Sequence, residues 1–223
     1  PEQLIPAVRL PRIMDRGDRV LMSALEAVIF QTQPFAASRG GRLCVFWSDQ
    51  VFIPARSVDR QGEAEVEILG IRAPVPLEEE RWRREWEGYG LLIRTPSGEV
   101  LQREKQSFAQ FQRLCRRELV RPDPQGRLMV GRSLGSFSLS GRVLDLLLEE
   151  YEAELAARRG RLDTDPHLWM PLTSSLEEFV EGGGDPGLWE RVQRLGQRIR
   201  RSGLPLLQEM DLGGCLLLGS GPG

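Results

Sequence analysis

Lys105 is the residue whose type most strongly suggests a chemical role. It is the only lysine among the 30 basic residues of this 223-residue chain, and all the others are arginine. Lysine carries a compact ammonium on a thin stem, whereas arginine carries a broad planar guanidinium. A pocket that places one ammonium against one phosphate oxygen distinguishes the two, so we predict a phosphate contact for Lys105. The alternative is a solvated lysine that an arginine-rich composition retains by chance.

Asp49 is the second candidate. It follows an apolar run, residues 43–47, that is typical of a strand buried on both faces. In open α/β sheets, ligands bind at the carboxyl ends of strands. Mg²⁺ takes oxygen ligands and often only one or two carboxylates. We therefore predict that Asp49 is a metal ligand at a strand end, the alternative being an aspartate that caps a turn.

The third candidate region is the loop that contains the only histidine, His167, after the pair Asp163 and Asp165. Two aspartates with this spacing can hold a divalent metal, and His167 can act as a base, as a ligand or as a structural hydrogen-bonding residue. A serine or cysteine triad is poorly supported, because the single histidine has no recognisable nucleophile motif as a partner. We expect residues 163–171 to be ordered near the cleft, with the apolar residues 168–170 buried.

The overall composition is that of a globular protein, with 40% hydrophobic and 28% charged residues. A formal net charge of −2 gives no indication of nucleic-acid binding. There is no apolar run of about 18 residues and no basic leader, so we expect a cytoplasmic protein without a membrane segment. The three cysteines lack CxxC spacing and are predicted to be reduced. No feature indicates an oligomeric state.

The chain alternates strand-like and helical segments without internal repeats. This pattern predicts one α/β domain, residues 1–223, with a sheet covered on both faces. Helices are predicted at residues 18–33, 77–86, 108–119, 142–159 and 188–201. Strands are predicted at 43–47, 64–71 (half exposed), 91–93, 100–101, 133–140 and 204–218, with a hairpin turn at 96–98.

Three segments together resemble the sugar-phosphate nucleotidyltransferases (NDP-sugar pyrophosphorylase-like enzymes). Residues 43–53 are similar to the family strand that ends in an aspartate, with Ser48 where that family often has glycine. Glu104-Lys105 resembles its Glu-Lys pair, although Gln106 stands in place of the usual proline. Residues 133–137, with Gly135, are similar to the later segment that shapes the sugar site. Order and spacing agree over about residues 18–170.

The resemblance implies a Rossmann-like, GT-A-type three-layer sandwich with a mixed, mostly parallel sheet. It also implies an Mg²⁺-dependent enzyme that joins an NTP and a sugar 1-phosphate into an NDP-sugar and pyrophosphate. The implied catalytic residues are Lys105 and Asp49, and the implied metal ligands are Asp49 and Asp163, with Asp211 as a competitor for the second position. The substrate-binding residues would be Glu104, Lys105, Gly135 and His167.

One departure from the family is large. Its members open with a glycine-rich GGxGTR-like loop around the triphosphate, and nothing before Asp49 matches that loop. The sequence is therefore expected either to lack its N-terminal part or to be a degenerate member. Two other functions stay open: a GT-A glycosyltransferase that uses Asp163, Thr164 and Asp165 as its metal motif, and a non-catalytic nucleotidyltransferase-like binding module.

Overall fold

A computed structural model describes residues 12–15, 18–21, 42–45, 51–54, 64–120, 122–151, 168–213 and 215–218. The strands are β1 (Arg12–Asp15), β2 (Asp18–Leu21), β3 (Leu43–Val45), β4 (Val51–Pro54), β5 (Val66–Pro74), β6 (Leu91–Arg94), β7 (Val100–Arg103), β8 (Met129–Leu139), β9 (Leu207–Asp211) and β10 (Cys215–Leu218). The helices are α1 (Glu79–Glu85), α2 (Phe108–Arg116), α3 (Gly141–Glu150), α4 (Trp169–Thr173), α5 (Leu176–Glu181) and α6 (Pro186–Arg200).

The main sheet has six strands. Five of them follow the order β7-β6-β8-β5-β9, and β3 pairs with the far end of β8, while β1–β2 and β4–β10 form separate antiparallel pairs. Within the described strands only β5 and β9 are parallel. The expected mixed sheet is confirmed, but the expectation that it is mostly parallel was wrong. The hairpin connection between β6 and β7 requires antiparallel pairing, whereas parallel pairing requires a long crossover, such as the one that leads to β9.

Helices cover both faces of this sheet, as the three-layer prediction requires. Side chains alternate along β6, so Leu91 and Ile93 pack with α1 and α2, while Leu92 points to the opposite face. We call this opposite face the α3 face, because α3, α4 and α6 pack on it. Its core consists mainly of Val66, Ile68, Phe137, Leu144, Leu147, Trp169, Val192 and Leu195. Burial of these apolar side chains is the main stabilising term for the arrangement.

Several predicted elements agree with the structure. Trp82 and Trp86 of α1 stack with ring centroids 5.7 Å apart, and the hairpin of β6 and β7 has the predicted turn. Ser107 caps α2 through a capping box with Gln110. In the third candidate region Leu168, Trp169 and Met170 are buried as predicted, although the chain is helical from Trp169 rather than a loop.

Other predicted elements need correction. Asp18 does not begin a helix, because Asp18–Leu21 pairs as β2 with β1, and residues 22–33 lie outside the described part. The helix predicted at 142–159 is described only as far as Glu150. The strand predicted at 64–71 is not half exposed. Its acidic positions Glu65 and Glu67 are buried, and the Arg42 guanidinium lies 3.3 Å from the Glu67 carboxylate.

Candidate functional site

The structure describes only part of the predicted site. Glu104, Lys105, Gly135 and the competing Asp211 lie within it. Asp49, Asp163, Asp165 and His167 lie outside the described residues, so their proposed roles stay predictions. The described residues therefore include the predicted sugar-phosphate-binding residues Glu104, Lys105 and Gly135 but not the predicted metal ligands Asp49 and Asp163.

Glu104 lies beside Gly90, the residue that directly precedes β6. A Cβ atom placed on Gly90 would lie 2.4 Å from Gln102 Nε2, 2.7 Å from Glu104 Oε2 and 3.3 Å from Ser133 Cβ. We call these four residues the Gly90 cluster. The amide of Ser133 donates to the carbonyl of Gly90 at 2.8 Å, and Gln102 Nε2 donates to Glu104 Oε2 at 3.4 Å. The cluster thus brings the end of β7, the start of β6 and the middle of β8 together on the α3 face.

Lys105 forms the apex of a turn. Because β7 ends at Arg103, Glu104 and Lys105 lie beyond the strand. Lys105 is exposed and has φ +43°, the left-handed region that residues other than glycine rarely adopt. Such conformations persist where surrounding contacts impose them, and they cluster at functional sites. The sole lysine therefore occupies an unusual backbone position next to the Gly90 cluster.

Gly135 lies in a β-bulge of β8 that adjoins the same cluster. Ile68 of β5 pairs with Phe137 and Gly70 pairs with Ser133, so three β8 residues lie opposite the single residue Leu69. Gly135 has φ +74°, and its amide donates to Ser133 Oγ at 3.2 Å. A glycine is favoured here because the bulge requires the left-handed conformation. Ser133 therefore connects the bulge at Gly135 to the Gly90 cluster, which includes Glu104.

Three neighbours of Glu104 were not predicted from the sequence: Gly90, Gln102 and Ser133. Gly90 stands directly before the apolar run that becomes β6, and a glycine at a strand start is a signal of close backbone approach. Gln102 precedes Glu104 by two positions, which on an extended strand places both side chains on one face. Those two signals could have identified the cluster, whereas Ser133 required knowledge of how the strands pair.

The described residues do not complete a metal site. Among them, no group of three or more His, Cys, Asp and Glu side chains could hold a metal ion. Asp211 Oδ1 accepts the amide of Arg72 at 3.2 Å and the amide of Gly213 at 3.0 Å. This carboxylate therefore stabilises the turn after β9, which is the role of a structural aspartate at a strand end. Asp49 and Asp163 remain the predicted ligands.

A buried carboxylate, Glu209, lies elsewhere on the α3 face and was not predicted. Its Oε2 pairs with Arg72 and, at 3.4 Å, with Arg94. Burial raises the pKa of Glu209, while the guanidiniums of Arg72 and Arg94 oppose this shift. Gly131 leaves room for its Oε1, since a Cβ at that position would lie 2.1 Å from it. The carboxylate links β9 to β5 and β6, so we assign it a structural role.

Two further findings bear on the protein class. Within the described residues no helix combines the length and the apolar character that a membrane span requires. Cys44 and Cys115 form no disulfide. Burial raises the pKa of the Cys115 thiol, which disfavours the reactive thiolate.

Comparison with known proteins leaves the family open. No family model matches the chain, and no curated protein matches it either. Among solved structures, the chain is similar to a mannose-1-phosphate geranyltransferase from Thermus thermophilus, at 18% identity and a TM-score of 0.36. The match covers 86% of this chain and 48% of that chain, so the present chain spans about half of the matched protein. At this TM-score the likeness carries no functional argument.

Proposed function

We propose that the chain is a nucleotidyltransferase-like domain that binds a sugar 1-phosphate at the Gly90 cluster and Lys105. The observation that supports this most strongly is that the segments containing Glu104 and Gly135 both approach Gly90, one through Glu104 and the other through Ser133. They are separated along the chain but adjoin one another through Gly90 and Ser133. Two of the three segments on which the resemblance in the sequence depends therefore lie close together in the fold.

Each residue in the cluster has a chemical task in this proposal. The Glu104 carboxylate accepts hydrogen bonds from sugar hydroxyls, and Gln102 orients it from the side. Gly90 contributes the absence of a side chain, which leaves space for that carboxylate. The bulge at Gly135 exposes backbone next to Ser133, where a sugar ring can approach closely.

The Lys105 ammonium supports the reaction by binding the phosphate of the sugar 1-phosphate. A phosphate oxygen attacks the α-phosphorus of the NTP in line, a new P–O bond forms, and the bond to the β-phosphate bridging oxygen breaks to release pyrophosphate. Two anions must approach each other, so the ammonium offsets their repulsion and orients the attacking oxygen. Chemistry of this type depends on positioning and charge stabilisation rather than on a protein nucleophile.

In this proposal Asp49 and Asp163 would bind Mg²⁺. Carboxylate oxygens are the ligands that Mg²⁺ prefers, and one or two of them suffice when substrate phosphates provide the rest. When bound, the ion would stabilise negative charge on the NTP phosphates.

The direct test is product formation. The protein is incubated with Mg²⁺, a panel of NTPs and a panel of sugar 1-phosphates, and NDP-sugar and pyrophosphate are quantified. Glu104→Gln should reduce turnover at least tenfold, whereas Glu99→Gln, an exposed glutamate of the β6–β7 hairpin, should leave it unchanged. Transfer of sugar from an NDP-sugar without NTP consumption would instead support the glycosyltransferase, and nucleotide binding without turnover would support the binding module.

A further inference from the structure

The outer edge of β7 is closed by the end of a helix rather than by another strand. The backbone amide of Gln102 donates to Thr173 Oγ1 at 2.9 Å, and the same hydroxyl lies 3.3 Å from the carbonyl of Gln102. Thr173 is the last residue of α4. An exposed strand edge offers unsatisfied backbone groups. Here Thr173 satisfies the amide and the carbonyl of Gln102, shortly before the turn that contains Lys105.

Arg103 strengthens this junction from inside the protein. Its side chain is only 3% exposed, and Nη2 lies 2.8 Å from Glu178 Oε2. Nη1 donates to the carbonyl of Gln102 at 2.8 Å and to the carbonyl of Thr173 at 3.0 Å. Burial lowers the pKa of Arg103, and the charge of Glu178 opposes that shift. One guanidinium therefore joins β7 to α4 and α5, and the planar fork of arginine suits such a junction.

The other side of the turn is held as well. Gln106 Nε2 donates to the carbonyl of Glu104 at 2.8 Å. The carbonyl of Gln106 accepts from Trp82 Nε1 at 2.9 Å, and Trp82 is fully buried. Lys105 is thus the exposed apex of a turn, between Glu104 and Gln106, whose carbonyl groups both accept hydrogen bonds. These hydrogen bonds are contacts of the kind that can hold a residue in the left-handed conformation.

We propose that Arg103 is a positioning residue whose buried pair with Glu178 holds the turn at residues 104–106, so that the Lys105 ammonium meets the substrate phosphate. This rests on the proposed function, because the phosphate is that of the sugar 1-phosphate. Arg103 itself does not touch substrate. Its effect passes through the backbone of Gln102 and Glu104 to the single lysine.

Because Lys105 is the only lysine, it can be observed alone. Protein prepared with ¹⁵N,¹³C-lysine gives one backbone amide signal, and its three-bond coupling and Cα shift report φ at Lys105 without any activity measurement. We expect the parent signal to show the left-handed conformation. Arg103→Met and Glu178→Gln should shift or broaden it, whereas Arg117→Ala should not, because Arg117 contacts Glu178 from the exposed side.

Kinetics provide the second readout. Arg103→Met should raise KM for the sugar 1-phosphate about tenfold and leave KM for the NTP unchanged, and Arg103→Lys should recover part of the loss. Glu178→Gln keeps the proposal testable if Arg103→Met does not fold. An unchanged Lys105 signal and an unchanged KM in folded variants would overturn the positioning role. A shifted signal in a protein whose parent makes no NDP-sugar would support the positioning of the turn and overturn the proposed function.

Discussion

Gly90 lies directly against the carboxylate of Glu104, so that a Cβ atom on Gly90 would come within 2.7 Å of Glu104 Oε2. Distances below 3.0 Å require something to move. The atoms that would move are the ends of Gln102 and Glu104, which are the polar groups of the proposed sugar site. The lack of a side chain at Gly90 is therefore a condition for the position of Glu104.

This relationship gives the first prediction. Gly90→Ala should displace Glu104 and raise KM for the sugar 1-phosphate at least tenfold, while the free energy of unfolding changes little, because the displaced atoms are the far ends of two flexible side chains. The matched control is Gly131→Ala on the same face, whose Cβ would lie 2.1 Å from Glu209 Oε1. Steady-state kinetics and denaturant unfolding of both variants check it. Equal effects on KM would assign Gly90 a packing role only.

A second prediction concerns Asp49 as a ligand of Mg²⁺. Asp49→Asn should abolish Mg²⁺-dependent binding of the nucleotide and leave folding nearly unchanged, because an amide keeps hydrogen bonds but lacks the charge that a hard cation requires. Calorimetric titration with and without Mg²⁺ measures this. If parent and variant bind the nucleotide equally well in Mg²⁺, Asp49 is not a ligand.

The second metal ligand is predicted to be Asp163. Alanine substitution at Asp163 should remove the Mg²⁺ dependence of turnover, while alanine at Asp211 should instead destabilise the turn after β9 that its carboxylate holds. Asp165→Ala is the third variant, and it tests the glycosyltransferase motif. Metal titration of turnover separates the cases, and parental metal dependence in all three would leave Asp49 as the sole protein ligand.

Much of the fold was accessible from the sequence, because short-range patterns determine it. The hairpin of β6 and β7, the capped helix α2 and the burial of Trp169 all follow from local periodicity and turn residues. The strand direction in the sheet did not follow, since the direction of pairing depends on partners distant in the chain. The alternating acids of β5 predicted a half-exposed strand wrongly, because Glu67 pairs with Arg42 inside the protein rather than facing water.

In the candidate site, too, local features could be predicted from the sequence and features that depend on tertiary contacts could not. Lys105 and Glu104 stood out by residue type and by motif, but their place in a turn rather than on a strand depends on tertiary anchors. Ser133 lies next to Gly90 only because β8 pairs with β6. Arg103 gave no signal at all, because one arginine among many has no distinguishing feature until its burial is known.

Glu209 gives a prediction on pH dependence. Burial raises its pKa in the folded protein above the ordinary value of 4.5, so the folded state binds the proton more tightly than the unfolded state. Its contribution to stability is therefore present below about pH 4.5 and is lost as pH rises through the folded pKa, with a slope of up to about 1.4 kcal/mol per pH unit. The difference in unfolding free energy between the parent and Glu209→Gln should fall as pH rises. A difference that grows with pH would mean that Arg72 and Arg94 outweigh burial.

Steady-state kinetics of three Lys105 variants test whether the Lys105 ammonium binds the phosphate of a sugar 1-phosphate. Lys105→Ala and Lys105→Arg should both lower kcat/KM by roughly 30- to 150-fold, since a charge-assisted contact contributes about 2–3 kcal/mol and the wider guanidinium displaces the phosphate. Lys105→Gly should lose activity equally, yet gain up to about 1 kcal/mol of stability by relieving the left-handed backbone. A fully active Lys105→Arg variant would rule out this phosphate contact, because Lys105 would then be an ordinary solvated charge.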